Sequence, residues 1–306
     1  MSPPAPLRLG TRRSALALAQ SELVAAALRG WLGRPVDLVE IVTAGDRSSG
    51  PLTRLGGTGV FVTALREALR AGRVDLAVHS LKDLPTAPAP GLLLAAVPPR
   101  EDPRDALVSP SGRGLAELGP GARVGTGSPR RVAQLHLLGL GLDVVPIRGN
   151  VDTRIKKAID GEVDAVVLAR AGLVRLDRLD TVTEVLDPVQ MLPAPGQGAL
   201  AVECWADDPP LAAVLRDALD DPATRAAVGA ERACLAALGA GCTAPVGALA
   251  EVADDEVHLR AVVAVPDGSD AVRRSATGSS EHPEALGRRL AADLLAAGAS
   301  TLMGSR

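Results

Sequence analysis

Aromatic side chains are nearly missing from this chain: its 306 residues hold Trp31, Phe61 and Trp205, and no tyrosine. A protein that grips nucleic acid by stacking bases needs more rings than that. The formal net charge of −3 also denies it a basic face, so no nucleic-acid partner is expected. Cysteine is scarce as well. Cys204, Cys234 and Cys242 are an odd set with no metal spacing, which excludes a disulfide framework and leaves at most one thiol for a special task. No two histidines stand at metal-ligand spacing, so no metal is expected. His79 and His136 lie in apolar company and read as structural. No uncharged apolar run approaches the ~18 residues of a membrane span, so no membrane partner is expected. The Pro-rich start, Met1 to Pro6, lacks a basic region followed by an apolar one, and a cytoplasmic protein is expected. Lysine is rare too, so positive charge rests on arginine.

What is present is a hydrophobic fraction of 47%, enough for real cores in a length suited to about two domains or three small ones. The most informative stretch runs from Val74 through His79-Ser80-Leu81-Lys82-Asp83 to Pro85. Leu76 to His79 predicts a buried strand of a parallel sheet. At its carboxyl end the apolar run gives way to a hydroxyl, an ammonium and a carboxylate, where open α/β sheets bind ligands. On residues alone this remains balanced against a solvated loop whose two charges offset each other.

The pattern upstream is strand (Leu7 to Gly10), helix (Ala15 to Arg29, capped by Ser14), strand (Val36 to Val42), a long polar loop (Thr43 to Gly59) and helix (Val60 to Arg70, with Phe61, Leu65, Ala68 and Leu69 inward). Strand–helix alternation implies a parallel sheet. Pro98 to Pro103 reads as a crossing to a second lobe that echoes the first. There Arg123-Val124-Gly125-Thr126-Gly127-Ser128-Pro129-Arg130-Arg131 repeats the earlier strand, Gly-Thr and paired arginines, with Ser128 as N-cap and Pro129 as first helical residue. Gly161 to Arg170 echoes Gly72 to His79, and Ile147 to Arg154 is a strand-to-helix turn carrying Arg148 and Arg154. Met191 to Ala199 crosses back, and Leu200 to Glu203 is strand-like. Asp220-Asp221-Pro222 opens a third unit: a helix (Ala223 to Leu238), a Gly-rich turn with Cys242, strands at Val246 to Val252, Val257 to Val265 and Arg273 to Thr277, and a closing helix (Glu284 to Ala297). The expected division is 1–98 with 199–218, then 103–193, then 220–306.

Two arginines just ahead of a helix oppose its dipole, unless they face water or share an anion with the first amides. Arg12, Arg13, Arg130, Arg131, Arg148, Arg154, Arg170 and Arg175 recur at element starts and ends. Guanidinium forks grip carboxylates in bidentate fashion, so such a set around one cleft suits a ligand with several carboxylates or phosphates. Any single one of them reads more readily as a surface arginine, whereas for the pairs at helix starts the dipole favours the shared anion. Cys242 is reachable on its turn, but no histidine is obviously paired with it, and residues alone leave its role open.

Together these stretches resemble the hydroxymethylbilane synthase (porphobilinogen deaminase) family from Leu7 to about Leu302. The resemblance rests on Leu9-Gly10-Thr11-Arg12-Arg13-Ser14, Asp75 through Pro85, Arg100-Glu101-Asp102-Pro103-Arg104-Asp105, Gly125 through Arg131, Arg148 through Arg154, Pro195-Gly196-Gln197-Gly198-Ala199 and Glu231-Arg232 through Gly241-Cys242, all in family order. It implies an α/β fold: two periplasmic-binding-protein-like lobes with mixed, mostly parallel sheets, and a small C-terminal α+β domain. It implies an enzyme that joins four porphobilinogens head to tail into a linear tetrapyrrole, releasing an ammonia from each. A dipyrromethane cofactor, made from substrate, would be held by Cys242 through a thioether. Asp83 matches the catalytic carboxylate, which can help protonate the leaving amine and stabilise the azafulvene cation. Lys82, Ser80, Thr126, Ser128, Arg130 and Arg131 match cofactor-side contacts. Arg12, Ser14, Arg148, Arg154, Arg175 and Gln197 match substrate-side contacts. A monomer is expected.

The chain departs from that family at several positions. Thr58 and Thr63 stand where lysines are frequent, Gly127 replaces a commonly hydroxylated residue, and Cys234, Ala240 and Ala244 vary the surroundings of the thiol. These read as tolerated changes. A second reading is a non-catalytic two-lobed receptor for a polycarboxylate, in which Asp83 and Cys242 have no required task. A third is a thiol-dependent group transferase acting through a free Cys242.

Overall fold

The computed structural model describes residues 5–42, 60–241 and 244–303. The chain divides into two compact units, residues 1–100 with 199–225 and residues 101–198 with 226–306. The first unit begins with β1 (Leu7–Thr11), α1 (Ala15–Leu32), β2 (Val36–Glu40), α2 (Val60–Arg70), β3 (Leu76–Ser80) and β4 (Leu92–Ala96). The chain then lays down β5 (Asp105–Val108), β6 (Arg123–Thr126), α3 (Pro129–Leu137), β7 (Asp143–Pro146), α4 (Val151–Ile159), β8 (Ala165–Ala169), α5 (Arg170–Arg175) and β9 (Glu184–Val185) in the second unit. It returns to the first for β10 (Leu200–Trp205) and α6 (Pro209–Leu219). Helix α7 (Pro222–Ala237), strands β11 (Val246–Ala253), β12 (Glu256–Ala264) and β13 (Ala271–Ser279), and helices α8 (Pro283–Ala296) and α9 (Ala299–Leu302) follow.

Local chemistry sets these boundaries. Ser14 Oγ accepts from Ala17 N at 3.3 Å to start α1, which stops at Gly33 in the left-handed region at φ +59°. Asn150 Oδ1 accepts from Thr153 N at 2.8 Å to start α4. Pro129 opens α3 as expected, yet the Ser128 hydroxyl makes no capping bond. Thr126 Oγ1 takes the Ser128 N–H instead, at 3.2 Å. Helix α6 is an element that the sequence reading above does not include. Asp208 caps it through Leu211 N at 3.1 Å, and prolines suit a first turn whose N–H groups need no partner.

The first unit's sheet has strand order β2-β1-β3-β10-β4, and the second unit's β7-β6-β8-β5-β9. In each, the first three strands pair in parallel and the next two pairings are antiparallel. The sheets are therefore mixed, and the sequence echo is structural: β1 and β6 occupy the same place in two sheets of one topology. Each sheet is covered on both faces. Leu9, Leu28, Leu76, Val202 and Leu215 fill one side of the first, with Leu65, Leu69 and Val74 on the other. Ile155, Val166 and Leu173 fill one side of the second, with Leu107, Leu135 and Val167 on the other. The expected burial of Leu65, Ala68 and Leu69 holds; that of Phe61 falls outside the described side chains.

Within the second unit, β11-β12-β13 form an antiparallel sheet. Leu286, Leu290 and Leu294 of α8 pack on it beside Cys234 of α7. A side chain at Gly287 would collide with Ala230 O, so glycine lets α8 lie against α7. Cys204 and Cys234 are both fully buried, as expected for small apolar residues, and burial pushes their thiols up to about 11 and about 12. His136 Nδ1 lies 2.9 Å from Pro266 O, the structural role anticipated for it.

Candidate active site

In the first unit the singled-out residues lie at the carboxyl ends of β1 and β3, neighbours paired in parallel. β3 ends at Ser80, and a single 3-10 turn, Leu81–Asp83, follows. Leu81 is buried and pins the turn, Lys82 is half-buried and Asp83 is exposed. Ser80 Oγ lies 3.0 Å from Gln20 Nε2 and 3.1 Å from Gln20 Oε1, so a buried carboxamide of α1 orients this hydroxyl. Sequence reasoning missed Gln20, whose sole signal was a polar residue on the apolar side of α1. At the end of β1, Thr11 is buried and accepts from Ser21 Oγ at 2.7 Å. Arg12 is half-buried, Arg13 exposed, and the Ser14 hydroxyl is engaged in capping α1.

Behind this turn a buried ionic cluster fastens α2 to the sheet. Arg66 donates to both oxygens of Glu203 on β10, through Nη2 at 2.7 Å and Nε at 3.0 Å. His79 Nε2 lies 3.2 Å from Glu203 Oε2. Burial pushes the Glu203 carboxyl up, but its bonds and charge contacts with His79 and Arg66 outweigh this and bring it down to about 2.

In the second unit the arginines gather at the carboxyl ends of β6, β7 and β8. Arg130 and Arg131 are 4% and 5% exposed, and Asp105 at the start of β5 is 0% exposed. Arg130 Nη1 donates to Asp105 Oδ2 at 2.7 Å and to Leu192 O at 2.6 Å. Arg131 Nη2 donates to Asp105 Oδ1 at 2.8 Å, and its Nη1 to Val167 O at 2.8 Å. Gln197 is buried, and its Nε2 donates to Pro103 O at 2.7 Å and Asp105 Oδ1 at 2.8 Å. Burial opposes ionisation of Asp105, yet the two guanidiniums hold its carboxyl well below the usual range. Burial also lowers the pKa of Arg130; Asp105 opposes that shift, and the Arg131 charge adds to it.

Around this core Arg154 is half-buried, with Nε donating to Gly149 O at 2.9 Å. Its pKa is lowered by burial and then by the charges of Arg131 and Arg148, so these three guanidiniums share one neighbourhood. Arg148 is exposed; Arg175 is half-buried, its Nη2 donating to Gly198 O at 2.5 Å, and burial lowers its pKa too. Thr126 is buried and Ser128 half-buried beside them. At Gly127 an added Cβ would stand 2.9 Å from Ile147 O, so this backbone leaves no room for the side chain expected there.

Cys242 lies outside the described residues, as does the whole loop from Thr43 to Gly59, Thr58 included. The chain on either side of Cys242 is anchored: Ala240 N donates to Leu235 O at 3.2 Å, and Ala240 and Ala244 pack against the C-terminal core. Among the described residues no group of three or more His, Cys, Asp or Glu could hold a metal, and no helix is long and apolar enough to cross a membrane.

The class that this fold and these side chains define is a two-unit α/β protein equipped to hold a ligand bearing several carboxylates. The comparisons with known proteins narrow that class. The family model "Porphobilinogen deaminase, dipyromethane cofactor binding domain" matches residues 7–213, and "Porphobilinogen deaminase, C-terminal domain" matches residues 226–296. A porphobilinogen deaminase of Nocardia farcinica is 57% identical, over 97% of this chain and 88% of its own. Porphobilinogen deaminase 1 of Streptomyces coelicolor is 59% identical, over 98% of each. The chain belongs to the porphobilinogen deaminase family. Among solved structures, an ABC-transporter periplasmic substrate-binding protein from Coxiella burnetii aligns over 71% of this chain and 93% of its own, at 15% identity and TM-score 0.44.

Proposed function

We infer that the chain condenses four porphobilinogens head to tail, releasing an ammonia from each, to give the linear tetrapyrrole hydroxymethylbilane. It is a transferase of porphyrin biosynthesis that works with a dipyrromethane cofactor. The observation that carries the residue assignments is the arginine cluster of the second unit. Arg130, Arg131, Arg154 and Arg175 are buried or half-buried and Arg148 is exposed, and these five cations outnumber the acids that face them, Asp105 and Glu101. Each pyrrole carries an acetate and a propionate, so a growing chain needs many carboxylate receptors. Arg12, Arg148, Arg154 and Arg175 fit that task.

The donor set also fits the cofactor. Nε of Arg130 and Nε of Arg131 are buried without a hydrogen-bond partner among the described residues, a condition that a carboxylate-bearing group relieves. Arg130, Arg131, Thr126, Ser128, Ser80 and Lys82 would hold it, with the Cys242 sulfur as its covalent anchor. When bound, the group supplies the pyrrole position to which the first substrate is joined. Asp83 stands exposed beside Lys82 at a rigid strand end. Its protonated carboxyl can pass a proton toward the departing amine, and the carboxylate this leaves can offset the positive charge on the substrate carbon. Ser80, held by Gln20, fixes the backbone from which Asp83 projects. Ser14 and Gln197 remain assigned to the substrate side.

The same proposal includes three domains (1–98 with 199–218, 103–193 and 220–306). It also includes a cytoplasmic monomer without a nucleic-acid or membrane partner. The net charge of −3 supports the absence of nucleic acid. Denaturing mass spectrometry is the test. The chain should weigh more than its sequence by two substrate-derived pyrroles, and Cys242→Ser should return it to the sequence mass. An active wild-type chain at sequence mass, or an adduct surviving Cys242→Ser, would overturn the assignment.

A further inference from the structure

A site for carboxylates that buries a carboxylate of its own needs a reason. Asp105 is enclosed completely, and three side chains converge on it: Arg130 at 2.7 Å, Arg131 at 2.8 Å and Gln197 at 2.8 Å. Its place in the sheet is specific. Asp105 pairs with Ala169, the last residue of β8, at the carboxyl edge of the parallel strands. The corresponding antiparallel strand of the first unit, β10, also carries a buried acid, Glu203. That one pairs with Ala77, deeper in the sheet, and ties down α2. Strand ends hold ligands and strand middles hold the fold together. Asp105 occupies the first kind of position.

We propose that Asp105 is a positioning residue: it locks Arg130 and Arg131 into one fixed receptor of net charge +1, which takes a single carboxylate of the cofactor. This rests on the reading of the two arginines as cofactor contacts. Two guanidiniums bonded to one carboxylate cannot turn independently, because each has an Nη on a separate oxygen of Asp105. Each also has an Nη on a backbone carbonyl, Leu192 O or Val167 O. The donors left over are thereby aimed, and both Nε groups are among them. The charge count follows from the same geometry. Two cations and one anion leave room for one further anion, whereas an Asn at 105 would leave two cations and no shared anchor. Preorganised donors of this kind act on rate through geometry rather than through contact with the reacting atoms.

The test separates loading from turnover in the full-length holoenzyme. Asp105→Asn, Arg130→Lys and Arg131→Lys are each purified. The fraction of chains carrying the cofactor is read by denaturing mass spectrometry, and kcat and KM for porphobilinogen are expressed per loaded chain. For Asp105→Asn the expected result is a kcat per loaded chain at least tenfold lower, with KM within threefold of wild type. A merely structural role would lower the folded fraction and leave kcat per loaded chain unchanged, which would overturn the proposal. If both arginine variants load and turn over normally, the cofactor reading of that pair falls first. If they are impaired while Asp105→Asn is normal, the positioning role alone falls. Should Asp105→Asn fail to fold, Gln197→Met decides. It removes one of the three bonds to Asp105 without altering charge, and kcat per loaded chain should fall about threefold; an unchanged value would refute the proposal.

Discussion

Glu203→Gln offers the sharpest energetic test of the fold, because its effect should depend on pH in a calculable way. In the wild type, burial acts against the bonds and charge contacts that Glu203 makes with His79 and Arg66, and its carboxyl ends at about 2 against an ordinary 4.5. At about 1.4 kcal/mol per pH unit, this corresponds to about 3 kcal/mol in favour of the folded, ionised form. The glutamine keeps the shape but leaves the Arg66 guanidinium, 12% exposed, facing a neutral amide. Breaking a buried pair on one side costs about 3–5 kcal/mol, so the two routes agree. Because the folded pKa is depressed, this stabilisation is complete above about 4.5 and disappears as pH falls through about 2. At pH 7 the variant should therefore lose about 3 kcal/mol, and at pH 3 roughly half of that. Urea unfolding followed by tryptophan emission is the assay. Trp31 and Trp205 both belong to the first unit, so the signal reports the unit that contains Glu203. With a slope of about 1–3 kcal/mol per molar urea, the midpoint should drop by roughly 1–3 M at pH 7. An equal drop at pH 7 and pH 3 would refute the linkage, and no drop at pH 7 would refute the pair.

Asp83→Asn should slow turnover by about two to three orders of magnitude, the usual effect of losing one preorganised electrostatic group. The two-pyrrole mass should remain, and an unchanged steady-state rate would remove Asp83 from its role. Gly127→Ala should lower the thermal midpoint, since a Cβ 2.9 Å from Ile147 O forces the backbone apart. Overpacking of this sort costs about 1–3 kcal/mol, and an unshifted scanning-calorimetry midpoint would count against it.

Much of this architecture was legible in the residues because it depends on local pattern. The β3 turn, the Ser14 and Ser128 helix starts and the echo of β1 in β6 are all short-range signals. The Gly-Thr stretches followed by paired arginines pointed to the strand ends singled out in each unit. What escaped notice depends on distance along the chain. Gln20 meets Ser80 sixty residues later, and only its polarity on the apolar side of α1 marks it. Asp105 looks like one charge in a charged crossing, and its partners come 25 and 26 residues on. Glu203 ends a stretch read only as strand-like, and nothing near it in the chain marks Arg66 and His79 as its partners. Gln197 and Ser14 were matched as substrate contacts from the family motif alone. The structure puts Gln197 behind Asp105 and the Ser14 hydroxyl on a helix cap.

The late arrival of β10 has a consequence for how the protein is made. β3 and β4 do not pair with each other but through β10, whose residues leave the ribosome about a hundred positions after β4. At roughly 5–20 residues per second, the nascent first unit waits on the order of 5–20 s with one side of β3 unpaired. Open strand edges invite intermolecular pairing. Synthesis speed between codons 100 and 205 should therefore govern the yield of soluble protein more than speed before or after that window.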